Sequence, residues 1–287
     1  MIFSDTLING PQFESIAHFV INPHDGKNLT QEQQYQLFNN DAIIFAKTDF
    51  IFDIFNFLRK STKKYILITH FSDYTIDENR FMHKPECIKK WFAINVNYQH
   101  ESLIPIPLGL YPHILGPLLH LNTWDEIQPY NQTQWFSDNF ENFKKNKKQD
   151  ILYCCWNNRT MAPTYSEERD SIIQKLTNNK LRFIQGHSTK HKQNVFFESI
   201  CKWTVSPAGN GLDSHRTWES LYLGCIPIVE KHFIYDTFNL PILQVNSWDD
   251  LTEEKLSNFD TSNFTFDKLN MNYWKETILN DFKNISY

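Results

Sequence analysis

The chain has 287 residues, with 28 Lys and Arg against 33 Asp and Glu, which gives a formal charge of −5 and a pI near 6.1. At 41% hydrophobic and 21% charged residues, it has the composition of a globular protein of about two domains that can bury its own cores. That excludes disorder and a disulfide-stapled miniature, and the missing basic excess argues against nucleic acid as a partner while leaving room for a pocket that holds one small phosphate.

Five cysteines, an odd number without C-x-x-C or C-x-x-H zinc spacing, point to a reducing compartment, and Cys154 and Cys155 in an apolar run read as small core residues. The N-terminal MIFSD has neither a basic region nor a long apolar stretch, and nowhere do about 18 apolar residues run together. The expectation is a soluble, cytoplasmic protein without signal peptide or membrane span. Aromatic residues reach 15%, with 24 Phe, 12 Tyr and 8 Trp, which serve either as core filler or as platforms that stack on sugars or bases.

In chain order, 41–46 (DAIIFA) reads as a buried strand, 50–58 as a helix with apolar residues three to four apart, and 65–69 (YILIT) as the next strand. Strands at 91–94 and 103–106 follow, the second running into the irregular PLGL of 107–110. The pattern weakens over 119–149, where KKNKK supplies a solvated stretch, and the domain boundary is placed there. A second alternation comprises strand 150–156, helix 167–176, strand 181–184, helix 195–200, strand 203–206, helix 213–223, strand 226–229 and a last helix at 272–282. Strands alternating with helices in both halves predict an α/β protein with two Rossmann-like domains, and a ligand site in the cleft where they face each other, beyond the strand ends.

The richest stretch is SPAGNGLDSHRTWESLYLGCIPIV, 206–229. A strand runs into Pro207, Gly209-Asn210-Gly211 makes a flexible turn, Asp213 suits the N-cap of the next helix and Gly224 its C-terminal end. A glycine loop that feeds a helix N-terminus leaves backbone N–H groups and the positive dipole end for an anion, with phosphate the obvious candidate. Arg216 can add a bidentate contact to the same phosphate, and Glu219, three residues on, suits the hydroxyls of a ribose. The same spacing equally fits an ion pair between Arg216 and Glu219. His215 is either a ligand contact or a solvent-facing helix residue, and Trp218 reads as core.

This stretch resembles the donor-domain signature of exostosin-type glycosyltransferases, the glycosyltransferase family 47 group. The closest likeness is to its short soluble forms found outside the animal Golgi, of the type that large DNA viruses carry. Supporting pieces are KYILITHFSDY (64–74), WFAINVNYQHESLIPIPLGL (91–110) and ILYCCWNNRT with EERDSI (151–172), so the likeness extends over about 40–230. The resemblance implies a GT-B fold and an inverting transfer of a sugar, such as xylose, a uronic acid or a hexose, from a UDP-sugar to a hydroxyl of a glycan acceptor. The UDP-sugar is a co-substrate, and no other cofactor is implied. By that likeness Arg216 holds the diphosphate, Glu219 holds the ribose, Ser206, Gly209 and Asn210 line the pocket, and Arg169 helps to neutralise the leaving diphosphate. Asn157 and Asn158 sit at the end of the first donor-domain strand. The domains implied are 1–120 on the acceptor side, a linker at 121–149, a donor-binding domain at 150–265, and a helix at 266–287 that packs back toward the first domain.

No D-x-D pair follows a strand, and Asp249-Asp250 looks like a helix start, so the expected site is free of metal, with Arg216, Arg169 and a helix dipole stabilising the leaving group. Inversion by single displacement needs one general base. THFSD (69–73) lies at a strand's carboxyl end, which makes Asp73 the first choice and His70 the alternative; otherwise they are a loop-capping Asp and a packed His. Two other activities fit the same expectations: a GT-B-type nucleotide-sugar-modifying enzyme such as an epimerase, and a non-catalytic nucleotide- or carbohydrate-binding module.

Overall fold

A computed structural model describes residues 6–21, 29–111, 132–156, 169–186 and 191–286. The described residues fall into two compact units. The N-terminal unit draws on Ile8–Leu108, Gly211–Asp213 and Asn270–Tyr287, and the C-terminal unit on Met1–Leu7, Gly109–Asn210 and Ser214–Leu269.

The N-terminal unit is built on β1 (Phe19–Ile21), β2 (Ala42–Lys47), β3 (Tyr65–His70), β4 (Ile88–Ala93) and β5 (Leu103–Pro105), paired in parallel in that order. The helices α2 (Gln31–Asn39), α3 (Ile51–Leu58) and α4 (Glu78–Met82) connect successive strands through β4. Right-handed crossovers that all step in one direction leave their helices on one face of a sheet. Yet all six residues of β3 are buried, so both faces are covered. The second cover is α1 (Gly10–Glu14) with the C-terminal helix α11 (Met271–Ser286), both packed on β3 and joined by an edge contact between Phe13 and Trp274 at 6.4 Å.

The sequence reading begins this unit at residue 41 and passes over β1 and α2. The strand is only three residues long, and α2 (QEQQYQLFN) buries Leu37 alone, so neither shows an apolar period. The available signal was the capping box at its start, where Thr30 Oγ1 accepts from Gln33 N–H and Gln33 Oε1 accepts from Thr30 N–H.

The C-terminal unit contains β6 (Gln149–Cys154), β7 (Phe183–Gln185), β8 (Cys201–Val205), β9 (Ile226–Glu230) and β10 (Leu243–Val245), all parallel, in the order β10-β9-β8-β6-β7. The chain steps outward from β6 to β7 through α6 (Arg169–Asn178), then returns across β6 through α7 (His191–Ser199). It continues through α8 (His215–Tyr222) and α9 (Phe233–Phe238). This reversal sends α6 to one face and α7, α8 and α9 to the other. The alternation along β6 matches: Leu152 and Cys154 join Ile172 and Leu176 of α6 in one core, while Ile151, Tyr153 and Cys155 face Phe197 of α7. Trp203, Trp218 and Trp248 are fully buried, each removing about 150–250 Å² from water, on the order of 4–6 kcal/mol before ordering costs. Both units are therefore Rossmann-like α/β layers.

The stretch read as a linker, 121–149, contains α5 (Gln132–Lys144), whose Phe136 and Phe140 are buried beside Tyr222. Aromatic residues at 135, 136, 140 and 143 carry the helical spacing that the charged KKNKK run masks. Asp249-Asp250 begins a short helical turn as expected, capped by Ser247. All five cysteines are free thiols, and Cys154 and Cys155 are core residues. Among the described residues no helix is long and apolar enough to cross a membrane.

Candidate donor site at the carboxyl end of the C-terminal sheet

The winding of the C-terminal sheet reverses between β6 and β8, and in sheets of this kind the carboxyl ends of the strands at such a reversal are where ligands bind. The glycine loop 206–214 follows β8. The stretch after β6, with Asn157 and Asn158, lies outside the described residues.

A buried arginine and a half-buried glutamate hold the loop. Arg169, the first residue of α6, donates from Nε to the Ala208 carbonyl at 2.8 Å and from Nη2 to the Pro207 carbonyl at 3.2 Å. From the other side Glu230, the last residue of β9, accepts the Ala208 N–H at 3.1 Å and the Trp248 indole N–H at 2.8 Å. Burial pushes the Glu230 carboxyl above its ordinary range and the Arg169 guanidinium below its own. At Gly209 a Cβ would come within 3.3 Å of Arg169 Nη2, so glycine lets the loop lie on the guanidinium. Ala208, Gly209 and Asn210 are partly exposed. Sequence reasoning missed Glu230; its only signal is a carboxylate closing an otherwise apolar strand, IPIVE.

The helix after the loop starts two residues later than expected. Ser214, not Asp213, is the N-cap of α8, its Oγ accepting the Arg216 N–H at 3.3 Å. Asp213 has partners within the N-terminal unit instead: its carboxylate accepts the Leu108 N–H at 3.0 Å and its own N–H donates to Asn95 Oδ1 at 3.1 Å. Gly224 closes the helix at φ 72°, the left-handed conformation glycine favours. Ser206 is buried and its Oγ lies 2.9 Å from Thr217 Oγ1, tying the end of β8 to α8. His215 Nδ1 sits 2.6 Å from the Gly109 carbonyl oxygen and its ring meets Tyr111 edge-on, so it fastens the chain before α5 to the start of α8. Trp218 is core, packed on Phe238.

Arg216 and Glu219 do come together, as an ion pair. Arg216 Nη1 donates to Glu219 Oε2 at 2.9 Å and to Glu198 Oε2 at 2.8 Å, and the guanidinium lies 5.8 Å over the ring of Tyr153. Glu198, on α7, is fully buried. Thr204 Oγ1 lies 3.1 Å from its Oε1, and Ser220 Oγ lies 2.6 Å from the same oxygen and 2.6 Å from the Arg216 carbonyl oxygen. Burial pushes the Glu198 carboxyl above its ordinary range, Arg216 opposing and Glu219 reinforcing, while the two carboxylates hold Arg216 firmly charged. Arg216 Nε and the Tyr153 hydroxyl are buried without a hydrogen-bond partner. Glu198 was not among the expected site residues; a lone carboxylate in the apolar run VFFESI is the trace it leaves in the sequence.

In the N-terminal unit Asp73 is exposed in the loop after β3. His70 is not at the surface. It is buried at the end of β3, its ring stacked on Phe13 at 5.8 Å and its Nδ1 accepting the Phe71 N–H at 2.8 Å. At Gly10 a Cβ would fall 2.2 Å from Phe71 Cε1 and 2.9 Å from His70 Nδ1, so α1 closes directly over the imidazole. Among the described residues no three His, Cys, Asp or Glu side chains are grouped so as to hold a metal ion.

No protein-family model matches the sequence, and the comparison with curated proteins finds no match. Among solved structures the chain is similar to an α,α-trehalose-phosphate synthase (UDP-forming) from Burkholderia vietnamiensis, at 8% identity over 85% of this chain and 75% of that one, with a TM-score of 0.46. It is also similar to a GtfA/B complex, at 10% identity over 84% of this chain, with a TM-score of 0.39; there it spans only 57% of the other chain's length.

Proposed function

We propose that the protein is a glycosyltransferase of exostosin type and GT-B architecture that moves a sugar from a UDP-sugar to a hydroxyl of a glycan acceptor with inversion. The observation that carries the reading is the coincidence of the glycine loop, Arg169 and the Arg216 cluster at the one place where the C-terminal sheet reverses its winding. In this reading the diphosphate lies on the amides of Gly209 and Asn210 and the first turn of α8, with Arg169 stabilising the charge of the departing UDP. Arg216 contributes its charge from below, through its pair with Glu219. The Tyr153 hydroxyl and Arg216 Nε, buried donors without an oxygen or nitrogen acceptor, suit an oxygen of the bound nucleotide. The base that takes the acceptor proton is Asp73, which solvent reaches, rather than the enclosed His70. The cations already present make a metal unnecessary for the leaving group.

The test is calorimetric titration and thermal shift with UDP, other nucleoside diphosphates and their sugars. UDP at about 100 times its Kd should stabilise the protein by about 2.7 kcal/mol. Slow hydrolysis of a UDP-sugar, with UDP released faster when glycan acceptors are added, separates a transferase from an epimerase and from a binding module. A protein that binds none of these nucleotides is not a nucleotide-sugar enzyme.

A further inference from the structure

The proton count around Glu198 does not close with an ionised carboxylate. Ser220 has one hydroxyl hydrogen and two oxygens at 2.6 Å, Glu198 Oε1 and the Arg216 carbonyl, and neither carries a hydrogen if Glu198 is ionised. Both contacts lie at the short end of the O–H···O range, where a single shared hydrogen does not serve two acceptors. The count closes if the hydrogen between Ser220 and Glu198 belongs to Glu198. Its Oε1–H then donates to Ser220 Oγ, Ser220 donates to the Arg216 carbonyl, Thr204 donates to Oε1 at 3.1 Å, and Oε2 accepts from Arg216 Nη1 at 2.8 Å. The second hydrogen of Nη1 goes to Glu219.

Resting on the donor-site reading above, we infer that Glu198 carries a proton at neutral pH and is a neutral positioning residue for Arg216. The diphosphate of the donor then meets an Arg216–Glu219 pair of zero net charge rather than a cluster with one surplus negative charge.

The surroundings favour that state. Arg216 and Glu219 face Glu198 from α8, Cys201 from β8, Cys225 from the turn before β9, and Tyr153 and Cys155 from the β6 end. Burial holds the two nearest thiols, Cys201 and Cys225, up at about 12 and raises Cys155 and the Tyr153 phenol as well, so none of the four is charged at neutral pH. One cation therefore faces two carboxyl groups, and the fully enclosed one keeps the proton. Fixing the guanidinium between a neutral and an ionised carboxyl sets its plane without cancelling its charge twice.

Glu198→Gln is the test, because glutamine reproduces the neutral group and its donor. The first readout is thermal stability from roughly pH 5 to 9. A carboxyl whose folded-state value lies above its unfolded value contributes stability at low pH that is lost as pH rises through the folded value. The wild type should therefore lose stability relative to Glu198→Gln progressively as pH rises from the unfolded carboxyl value near 4.5 toward the folded one. The second is UDP affinity by calorimetry. At neutral pH the variant should bind within about twofold of wild type; on the alkaline side wild-type affinity should fall by about two- to fifteenfold against a flat variant, the effect of one extra charge about 10 Å away. Parallel stability curves, a neutral-pH affinity loss of about tenfold or more, or failure of the isosteric variant to fold would overturn the inference. If wild type does not bind UDP at all, the donor reading fails, while the stability curves still decide whether Glu198 holds the proton.

Discussion

Replacing Arg216 by Met should act on the fold before it acts on any ligand. Its side chain is only 18% exposed and its Nη1 is shared between Glu198 and Glu219 at 2.8 and 2.9 Å, while the Glu219 side chain is 9% exposed. Methionine keeps most of the apolar stem over Tyr153 and removes the cation, which leaves Glu219 ionised and enclosed without its counter-charge. Breaking a buried pair in this way costs about 3–5 kcal/mol, against about 0–1 kcal/mol for a surface pair. In a unit of this size, each kcal/mol moves the midpoint by about 2–4 °C, so thermal unfolding of ligand-free Arg216→Met should fall by roughly 6–20 °C.

The double variant Arg216→Met/Glu219→Gln should recover a large part of that loss, because the stranded charge is gone. Glu198→Gln in the same background should recover little, Glu198 being neutral already. Circular dichroism melts of the four proteins at low ionic strength and neutral pH suffice. If Arg216→Met unfolds within about 1 kcal/mol of wild type, the guanidinium is solvated and the ion pair has the modest worth of a surface contact.

Asp73→Asn should lower sugar transfer by about 10²-fold or more with UDP affinity intact, and a normal rate would remove Asp73 as the base. Glu219→Gln should raise the donor KM more than it lowers kcat; a collapse of kcat at unchanged donor affinity would place Glu219 in the chemistry instead. Gly186→Ala should cost about 1–3 kcal/mol by urea denaturation, since its Cβ would stand 2.2 Å from Tyr153 Oη and 2.8 Å from Asn194 Oδ1; unchanged stability would mean that the Tyr153 ring moves aside freely. Transfer activity should survive excess EDTA, and a loss that manganese restores would require a metal in the reaction.

What the sequence revealed follows from how far each feature reaches along the chain. The strands 65–69 and 226–229 and the glycine loop are local patterns, and each is found where the period and turn residues put it. Partner choice is not local. The i, i+3 spacing of Arg216 and Glu219 fits both an ion pair and two separate ligand contacts. The third member of the cluster, Glu198, comes from another helix and is brought in by the crossover from β7 back to β8. The same holds for His70, whose position at a strand end suggested access until α1, a five-residue helix without a period of its own, closed over it. Asp213 had the right residue type for an N-cap, but its carboxylate is taken by the Leu108 amide, a contact more than a hundred residues away in sequence, and Ser214 caps instead.

Both units alternate strand and helix, yet they differ in what their strand ends can hold, and the difference comes from winding order alone. In β1-β2-β3-β4-β5 every crossover steps the same way, so successive loops at the carboxyl ends leave toward the same face and none diverges from its neighbour. Whatever that end binds must be recognised by loop side chains such as Asp73, without help from a crevice. In β10-β9-β8-β6-β7 the winding reverses between β6 and β8, and α6 and α8 are the helices that follow those two strands. Arg169 sits at the amino end of the first, buried, and Arg216 at that of the second, half-buried, each held by protein oxygens: carbonyls for Arg169, carboxyls for Arg216. Two guanidinium groups held at one sheet reversal are costly for folding alone, because each is largely taken out of water. A ligand with two adjacent anionic groups, as a diphosphate has, would meet both fields there, which is why that chemistry is proposed for the C-terminal unit.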